Sequence, residues 1–322
     1  MAAPFFDNIS GTVTSGPGTA AFTLTGAATG AEAWSTMPSN QIVHYRADEG
    51  TTWERGIGLW NGTTLTRNLE ASSSGSLISF GTGVIVALDA PADEVQPHVG
   101  GGHWAMWVAN GLGSVITSVG IASPVVSGTG AAPTFATTNY LTRSNRVEYT
   151  SGAAAGNLGG IVGGTLFTHL SSTAFMGGFE VSSRFGFISF ASGPRLGVGM
   201  AASIWSGVEP STVLNAAWFA KDSTDTNIQF MTNNGTTTTK LDTGMAPVAG
   251  AMYEVRIKAA PGAAKVFYQI IRLDTGAIFT GSTVTTLPTV DTKLGPQCQA
   301  AVGTTASALV FAIQKLYYKT SF

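Results

Sequence analysis

Tyr253-Glu254-Val255-Arg256-Ile257-Lys258 decides the fold. Tyr253, Val255 and Ile257 alternate with Glu254, Arg256 and Lys258, the period of a strand with one face in a core and the other toward water. Neighbouring runs read the same way. Arg146-Val-Glu-Tyr-Thr, Phe179-Glu-Val-Ser-Ser-Arg-Phe-Gly-Phe and Arg195-Leu-Gly-Val-Gly-Met are strand candidates before it, with Ala216-Ala-Trp-Phe-Ala and Asn227-Ile-Gln-Phe-Met-Thr. Lys265-Val-Phe-Tyr-Gln-Ile-Ile-Arg-Leu and Ala308-Leu-Val-Phe-Ala-Ile-Gln-Lys-Leu-Tyr-Tyr follow. Pro261-Gly262 and Asn233-Asn-Gly235 punctuate the series as turns. Roughly ten such strands predict a two-sheet antiparallel sandwich, with one short helical turn near Ser211-Thr-Val-Leu-Asn.

Composition agrees with an all-β chain. Charged residues make up 11% of 322, and glycine contributes 41 positions; average domains carry about 25% charge and about 7% glycine. Strands joined by many tight turns use glycine in this way, whereas helix surfaces carry Lys and Glu. With 44% hydrophobic and 10% aromatic residues the chain has enough apolar surface to fold. A net charge of −2 with scattered Lys and Arg argues against nucleic acid as a partner. A nearly neutral surface favours association. No run of about 18 apolar residues predicts membrane insertion, and the start, Met1 to Gly11, has no charged region followed by a long apolar stretch. Cys298 stands alone, so no intrachain disulfide forms, and it reads as a buried small hydrophobe.

The first hundred residues form a unit of their own. Gly11-Thr-Val-Thr-Ser and Ala21-Phe-Thr-Leu-Thr flank the turn Gly16-Pro-Gly, and Gln41-Ile-Val-His-Tyr-Arg alternates next. Trp53-Glu-Arg-Gly-Ile-Gly-Leu runs into Asn61-Gly62, a strong hairpin signal, with Thr63-Thr-Leu-Thr-Arg as partner. Leu77-Ile-Ser-Phe and Val84-Ile-Val-Ala-Leu complete six or seven short strands, the spacing of a small sandwich or barrel. Two prolines and Gly100-Gly-Gly102 mark a boundary over 91–104. The expected organisation is an N-terminal β domain over 1–96, a connector over 97–134, and a larger, jelly-roll-like sandwich over 135–322. Turn-rich stretches at Thr117–Ser123 and Pro124–Gly128 also fit first strands of the sandwich.

Two blocks resemble modules of tail-fibre and related virion proteins of tailed bacteriophages. The first is Tyr45-Arg-Ala-Asp-Glu-Gly-Thr-Thr-Trp-Glu-Arg-Gly-Ile-Gly-Leu-Trp-Asn-Gly-Thr-Thr-Leu-Thr-Arg with Leu69–Phe80 and Val84–Asp93. It is similar to a small N-terminal β module. The second runs from Gly177–Gly186 through Arg195–Met200, Val208–Asn215 and Asp222–Gly235 to Tyr253–Pro261. It is similar to a C-terminal jelly-roll-like sandwich. Together they span about two-thirds of the chain. The resemblance implies a structural virion protein on the particle exterior, a homotrimer, bound to other virion proteins through its N-terminal domain. Its distal domain would contact a host surface glycan or protein. The chain lacks a shaft repeat and a coiled coil, which leaves a capsid-bound head fibre or decoration protein as an alternative.

Chemistry-bearing residues are few. Among the four histidines, His98 and His103 bracket Val99-Gly100-Gly101-Gly102; two imidazoles fall short of a metal's ligand set, and the glycine run lacks the Lys-Ser/Thr of a phosphate loop. Asp222-Ser-Thr-Asp-Thr-Asn offers oxygens for calcium but reads first as an Asx turn satisfying its own backbone. A polysaccharide-degrading enzyme, the rival from another class, would need two convergent carboxyls. Glu180, Glu209 and Glu254 supply carboxylates without a recognisable motif, and Glu254 beside Arg256 and Lys258 reads as a solvated face of cross-strand ion pairs. The expectation is therefore no catalytic residue, no metal and no cofactor. For receptor or glycan contact, Trp205 in a loop with Asp222, Asp225, Asn227 and Asn233 are the candidates; Trp218 reads as core. Trp104 and Trp107, after the glycine run, are candidate interdomain or intersubunit anchors.

Overall fold

Asn61 Oδ1 accepts the backbone N–H groups of Thr63 at 3.0 Å and Thr64 at 2.7 Å, and Gly62 takes φ 103°. The Asn-Gly signal thus makes its hairpin through an Asx turn. A computed structural model describes residues 9–13, 17–89, 104–109, 116–120, 124–163, 170, 177–260, 262 and 264–320. Among them there are strands and two short 3-10 turns, Trp34–Thr36 and Pro210–Thr212, and no α-helix.

The N-terminal strands are β1 (Ser10–Val13), β2 (Phe22–Thr25), β3 (Gln41–Glu49), β4 (Thr52–Trp60), β5 (Thr64–Leu65), β6 (Asn68–Ser72) and β7 (Ile85–Leu88). They hydrogen-bond in the order β3-β7-β1-β2-β5-β4-β6. β3 pairs with β4 as well as β7, so the sheet closes into a six-stranded barrel with β6 outside. Closure removes exposed edges. Trp34, Trp60, Phe22, Tyr45, Leu65, Phe80 and Val86 fill its interior. Among them lies a buried ion pair. Glu54, fully buried, accepts from Arg67 Nε at 2.8 Å, from Tyr45 Oη at 2.9 Å and from the N–H of Ile78 at 3.1 Å. The predicted strand at Leu77–Phe80 forms only one bridge, Gly18 to Phe80, because Ile78 turns its N–H and C=O onto this pair.

The remaining strands are β8 (Trp104–Ala109), β9 (Ile116–Gly120), β10 (Pro124–Ser127), β11 (Thr129–Ala131), β12 (Val147–Thr150), β13 (Leu158–Gly163), β14 (Phe179–Ser189), β15 (Arg195–Ala201), β16 (Ala216–Lys221), β17 (Gln229–Asn233), β18 (Thr238–Asp242), β19 (Met252–Ala259), β20 (Val266–Arg272), β21 (Ala277–Thr283), β22 (Gly295–Ala301) and β23 (Val310–Thr320). They make two antiparallel sheets. One is β10-β13-β22-β15-β16-β17-β18, and the other is β11-β12-β23-β14-β19-β20-β21, with β8 on β23 and β9 on β8. Phe185, Phe187, Tyr253, Val255, Ile257 and Phe311 from one sheet meet Val198, Phe219, Phe230 and Cys298 from the other in a single core. The all-β expectation of a small barrel followed by a larger sandwich describes the molecule.

The proposed connector is corrected. Residues 104–109, 124–127 and 129–131 are strands of the two sandwich sheets, and 116–120 pairs with the first of them. Trp107 is likewise placed in the sandwich's own core, 5.6 Å from Tyr318, and not at a boundary between domains or subunits. Backbone at Trp104 pairs with Lys319; its side chain lies outside the described set, as do His98, His103 and His169.

Candidate functional site

The sandwich has two outer faces, and among the described residues they differ in character. On the seven-stranded sheet, Trp218 projects outward over Gly197, where a Cβ would lie 2.8 Å from the indole. Trp205 packs edge-on at 6.0 Å and donates its indole N–H to Val208 O at 3.0 Å. With Val213 and Met231 the pair makes a second small core beneath residues 202–215. Trp205 is therefore corrected from an exposed platform to a core residue, 1% exposed. Glu209 pins the loop above it, accepting from Arg195 Nε at 2.9 Å and from the Ser223 N–H at 2.7 Å. Burial pushes the Glu209 carboxyl up, but the Ser223 and Arg195 donors outweigh it and hold the group below the usual carboxylate range. Ile204, Val208 and Leu214 stay about half exposed around a shallow depression on this loop.

The polar residues expected beside Trp205 serve the fold. Asp222, buried, accepts from the Ser211 N–H at 2.9 Å and from Lys240 Nζ at 2.7 Å. Lys240 also meets both Asp225 oxygens at 2.9 Å. The ammonium thus sits where the sequence offered oxygens to calcium. Burial raises Asp222, yet Lys240 and Ser211 hold it below its ordinary value. Asn233, also buried, accepts from the N–H groups of Asn215 and Gly235 and donates to Thr238, and Asn227 donates to the Asp242 carboxylate at 3.0 Å. The residues come together as turn braces, and Asp222 and Asn233 present no free face. Among the described residues no group of three His, Cys, Asp or Glu side chains converges as a metal site.

The outer face of the nine-stranded sheet is different. Alternation puts Glu180, Ser182 and Arg184 of β14 outward, opposite Lys258, Arg256 and Glu254 of β19 and Lys319, Tyr317 and Lys315 of β23. β20 continues the rows with Phe267, Gln269 and Ile271, and β8 with Met106 and Val108 beside Tyr317 and Lys315. Cross-strand ion pairs lace the grid, as the alternation at Glu254 predicts. Arg184 Nε donates to Glu254, and Arg256 Nε donates to Glu180 at 2.7 Å. Lys258 lies 3.3 Å from Glu180. The side chains of Arg184, Glu254, Arg256 and Lys315 remain 39, 25, 34 and 29% exposed.

One corner of this face carries the barrel. Phe267 and Ala260 pack on Ile42 and Ile57 of β3 and β4. Polar contacts ring that apolar spot. Gln269 donates to Asn40 O, which a left-handed φ of 63° at Asn40 helps to present, and Arg256 reaches Ile42 O at 3.5 Å. Lys258 meets His44 Nε2, while His44 Nδ1 faces Glu70 at 3.3 Å. An ammonium can only donate, so Nε2 accepts and Nδ1 carries the proton toward Glu70. The barrel is thus a wall beside a partly exposed shelf of Arg184, Gln314 and Lys315. Sequence reading identified the charged alternation of β19 but missed Lys315, Tyr317 and Arg184 as a shared surface, since strand order alone brings them together.

No family model matches the chain, and no curated protein matches it. Solved structures do. A protein of unknown function from Shewanella oneidensis MR-1 aligns with a TM-score of 0.50 at 14% identity, over 73% of this chain and 95% of that one. The Lotus tetragonolobus seed lectin aligns with a TM-score of 0.39 at 11% identity, over 57% and 90%. An alginate lyase of polysaccharide lyase family 7 aligns with a TM-score of 0.38 at 9% identity, over 68% and 95%. At 14% identity the first of these likenesses concerns the fold alone, and fold alone does not fix function.

Proposed function

We propose that the chain is a non-enzymatic structural protein of a tailed-phage particle, a fibre or spike subunit whose barrel attaches to the particle and whose sandwich contacts the host surface. Assembly as a homotrimer would multiply weak contacts into firm attachment. The observation that carries this reading is the open outer face of the nine-stranded sheet. It is polar and partly exposed, and its carboxylates Glu148, Glu180 and Glu254 are each engaged by an arginine side chain. A glycan-cleaving site needs two carboxyls converging on one bond, whereas these are each spent on an ion pair along the sheet. Such a surface suits binding without bond cleavage. Resemblance of the two sequence blocks to virion modules supplies the location.

A head-fibre or decoration role has its own support: β7 ends at Leu88 and β8 begins at Trp104, leaving no room for a long shaft between barrel and sandwich. Light scattering of the purified chain and immuno-electron microscopy of intact particles test both. A mass three times that of the chain and label at tail tips support the fibre. Label over the capsid supports the head position, and a monomer absent from particles refutes both. Release of unsaturated or reducing ends from polysaccharide would instead establish an enzyme.

A further inference from the structure

The outer face of the nine-stranded sheet concentrates positive charge in a chain that has little. Arg184, Arg256, Lys258, Lys315 and Lys319 lie opposite only Glu180 and Glu254, within three adjacent strands, while the whole chain has a net charge of −2. The cations are unequally satisfied. Lys315 Nζ can donate three hydrogen bonds. Among the described residues its one ion-pair contact is Glu254, at 3.8 Å, with Glu180 farther off, and Arg184 already donates to the Glu254 carboxylate. Arg184 uses Nε on Glu254 and Nη1 on Gln314 at 3.3 Å, with Nη2 left over. Burial, with Arg184 and Arg256 close by, presses the Lys315 ammonium below its ordinary pKa despite Glu254 and Glu180. An anion beside it would relieve that.

Spacing extends the point. Along one face of a strand, side chains recur every ~7 Å. β23 presents Lys315, Tyr317 and Lys319 in that series, and Ser182 of β14 lies opposite Tyr317. A linear ligand along β23 meets the Lys315 ammonium, with the Arg184 guanidinium and the Gln314 amide alongside. We propose that this shelf binds an acidic polysaccharide, with carboxylate or sulfate groups on Lys315 and Arg184 and a sugar hydroxyl on the Gln314 amide. The assignment rests on the reading of the chain as a surface-binding protein and names the chemistry it meets. Nucleic acid fits less well. It demands a strong positive field over many phosphates, whereas this chain is acidic overall and its cations alternate with carboxylates.

Binding of the full chain to immobilised polygalacturonate, heparin, dextran and single-stranded DNA, followed by biolayer interferometry at low and moderate salt, tests the proposal. Wild type binds polygalacturonate or heparin, loses affinity as salt rises, and ignores dextran. Preference for the first polymer assigns a carboxylate ligand, and preference for the second a sulfate. Lys315→Gln lowers affinity at least tenfold, Lys315→Arg restores most of it, and Lys293→Gln, at an exposed site, changes nothing. The circular dichroism spectrum of Lys315→Gln matches wild type. Equal binding to dextran, acidic-glycan binding untouched by Lys315→Gln, or tighter binding to DNA than to either acidic polymer overturns the assignment. A particle-bound trimer that binds neither acidic polymer overturns the ligand class and spares the attachment reading. A monomer absent from particles that binds through Lys315 does the reverse.

Discussion

Replacing Arg67 with methionine strips the barrel interior of its one guanidinium while keeping an apolar stem of similar length. Arg67 donates to Glu54 from Nε at 2.8 Å and from Nη2 at 2.5 Å, and to the carbonyls of Gly18, Ala20 and Ile78 at 2.8, 3.1 and 2.7 Å. Its charge also lies 4.5 Å from the Phe22 ring centroid. In the variant, the Glu54 carboxylate, with no exposed surface, keeps only the Tyr45 hydroxyl and the Ile78 N–H. Breaking a buried pair on one side costs about 3–5 kcal/mol. An independent limit agrees. The variant escapes a bare buried charge by folding with the carboxyl protonated, and proton uptake by an ordinary glutamate at pH 7 costs about 3.7 kcal/mol. The deficit therefore has a sign as well as a size: it is largest at pH 7 and shrinks by about 1.4 kcal/mol for each unit of acidification toward pH 5. Native-state hydrogen exchange on β4 and β7 peptides measures it within the barrel alone. The double variant Glu54→Leu/Arg67→Met leaves no charge behind and recovers more than half of the loss. A deficit below about 1 kcal/mol, or one flat between pH 7 and 5, would refute the reasoning, because packing would then account for the barrel without the pair.

Three further outcomes follow from the sandwich and its junction. Phe267→Ala empties the apolar spot between Ile42, Ile57 and Ala260; a loss of about 3 kcal/mol frees the barrel to swing, seen as a larger radius of gyration by X-ray scattering. The Cys298 thiol is fully buried, pushed up to about 12, and 3.2 Å from Ser183 Oγ, so it resists a thiol reagent in the native state and reacts only on unfolding. Asp222 and Glu209 are held below their ordinary carboxylate values. Their contribution is complete above the unfolded-state values near pH 4 and is lost as pH falls through the lower folded ones. Thermal melts are therefore level from pH 8 to 5 and fall below pH 4, and Lys240→Met removes much of that slope.

Period-two alternation was legible wherever one side of a strand meets water. Tyr253–Lys258 gave its strand and its inward residues directly, because polarity labels the two faces, and Phe179–Phe187 gave its strand. β22, Gly295-Pro-Gln-Cys-Gln-Ala-Ala, carried no such label. Gln297 and Gln299 are buried on its outer face, where Gln297 donates to Ser203 O at 2.5 Å and Gln299 to Ser127 at 2.7 Å. A strand covered on both sides loses the alternation that announces it. β13, Leu158-Gly-Gly-Ile-Val-Gly, hides for another reason: a Cβ at Gly160 would lie 2.4 Å from Cys298 O, so close approach dictated glycine where a strand-forming residue would have signalled. Trp205 failed as a surface candidate because loop position implied exposure, while Gly197 left a slot for a tryptophan pair to cover the sheet.

The same asymmetry explains why the candidate site lies on the nine-stranded sheet. Each sheet of a sandwich needs a polar outer face or a cover. The seven-stranded sheet solves this with glycine, alanine and two tryptophans under the 202–215 loop, which leaves little there for a polar ligand. Charge is then concentrated on the other sheet, where pairing holds Arg184 on Glu254 and Arg256 on Glu180. Those pairs are partly exposed, so each contributes little to stability. Their larger effect is geometric. They fix long side chains at known grid positions before any ligand arrives, which cuts the ordering cost of binding. Lys258, Arg256 and Gln269 extend the grid into contact with the barrel. Anything held along β23 is therefore held at a fixed position relative to the N-terminal unit, and a pull on the ligand passes into the barrel through packed strands rather than through a flexible tether.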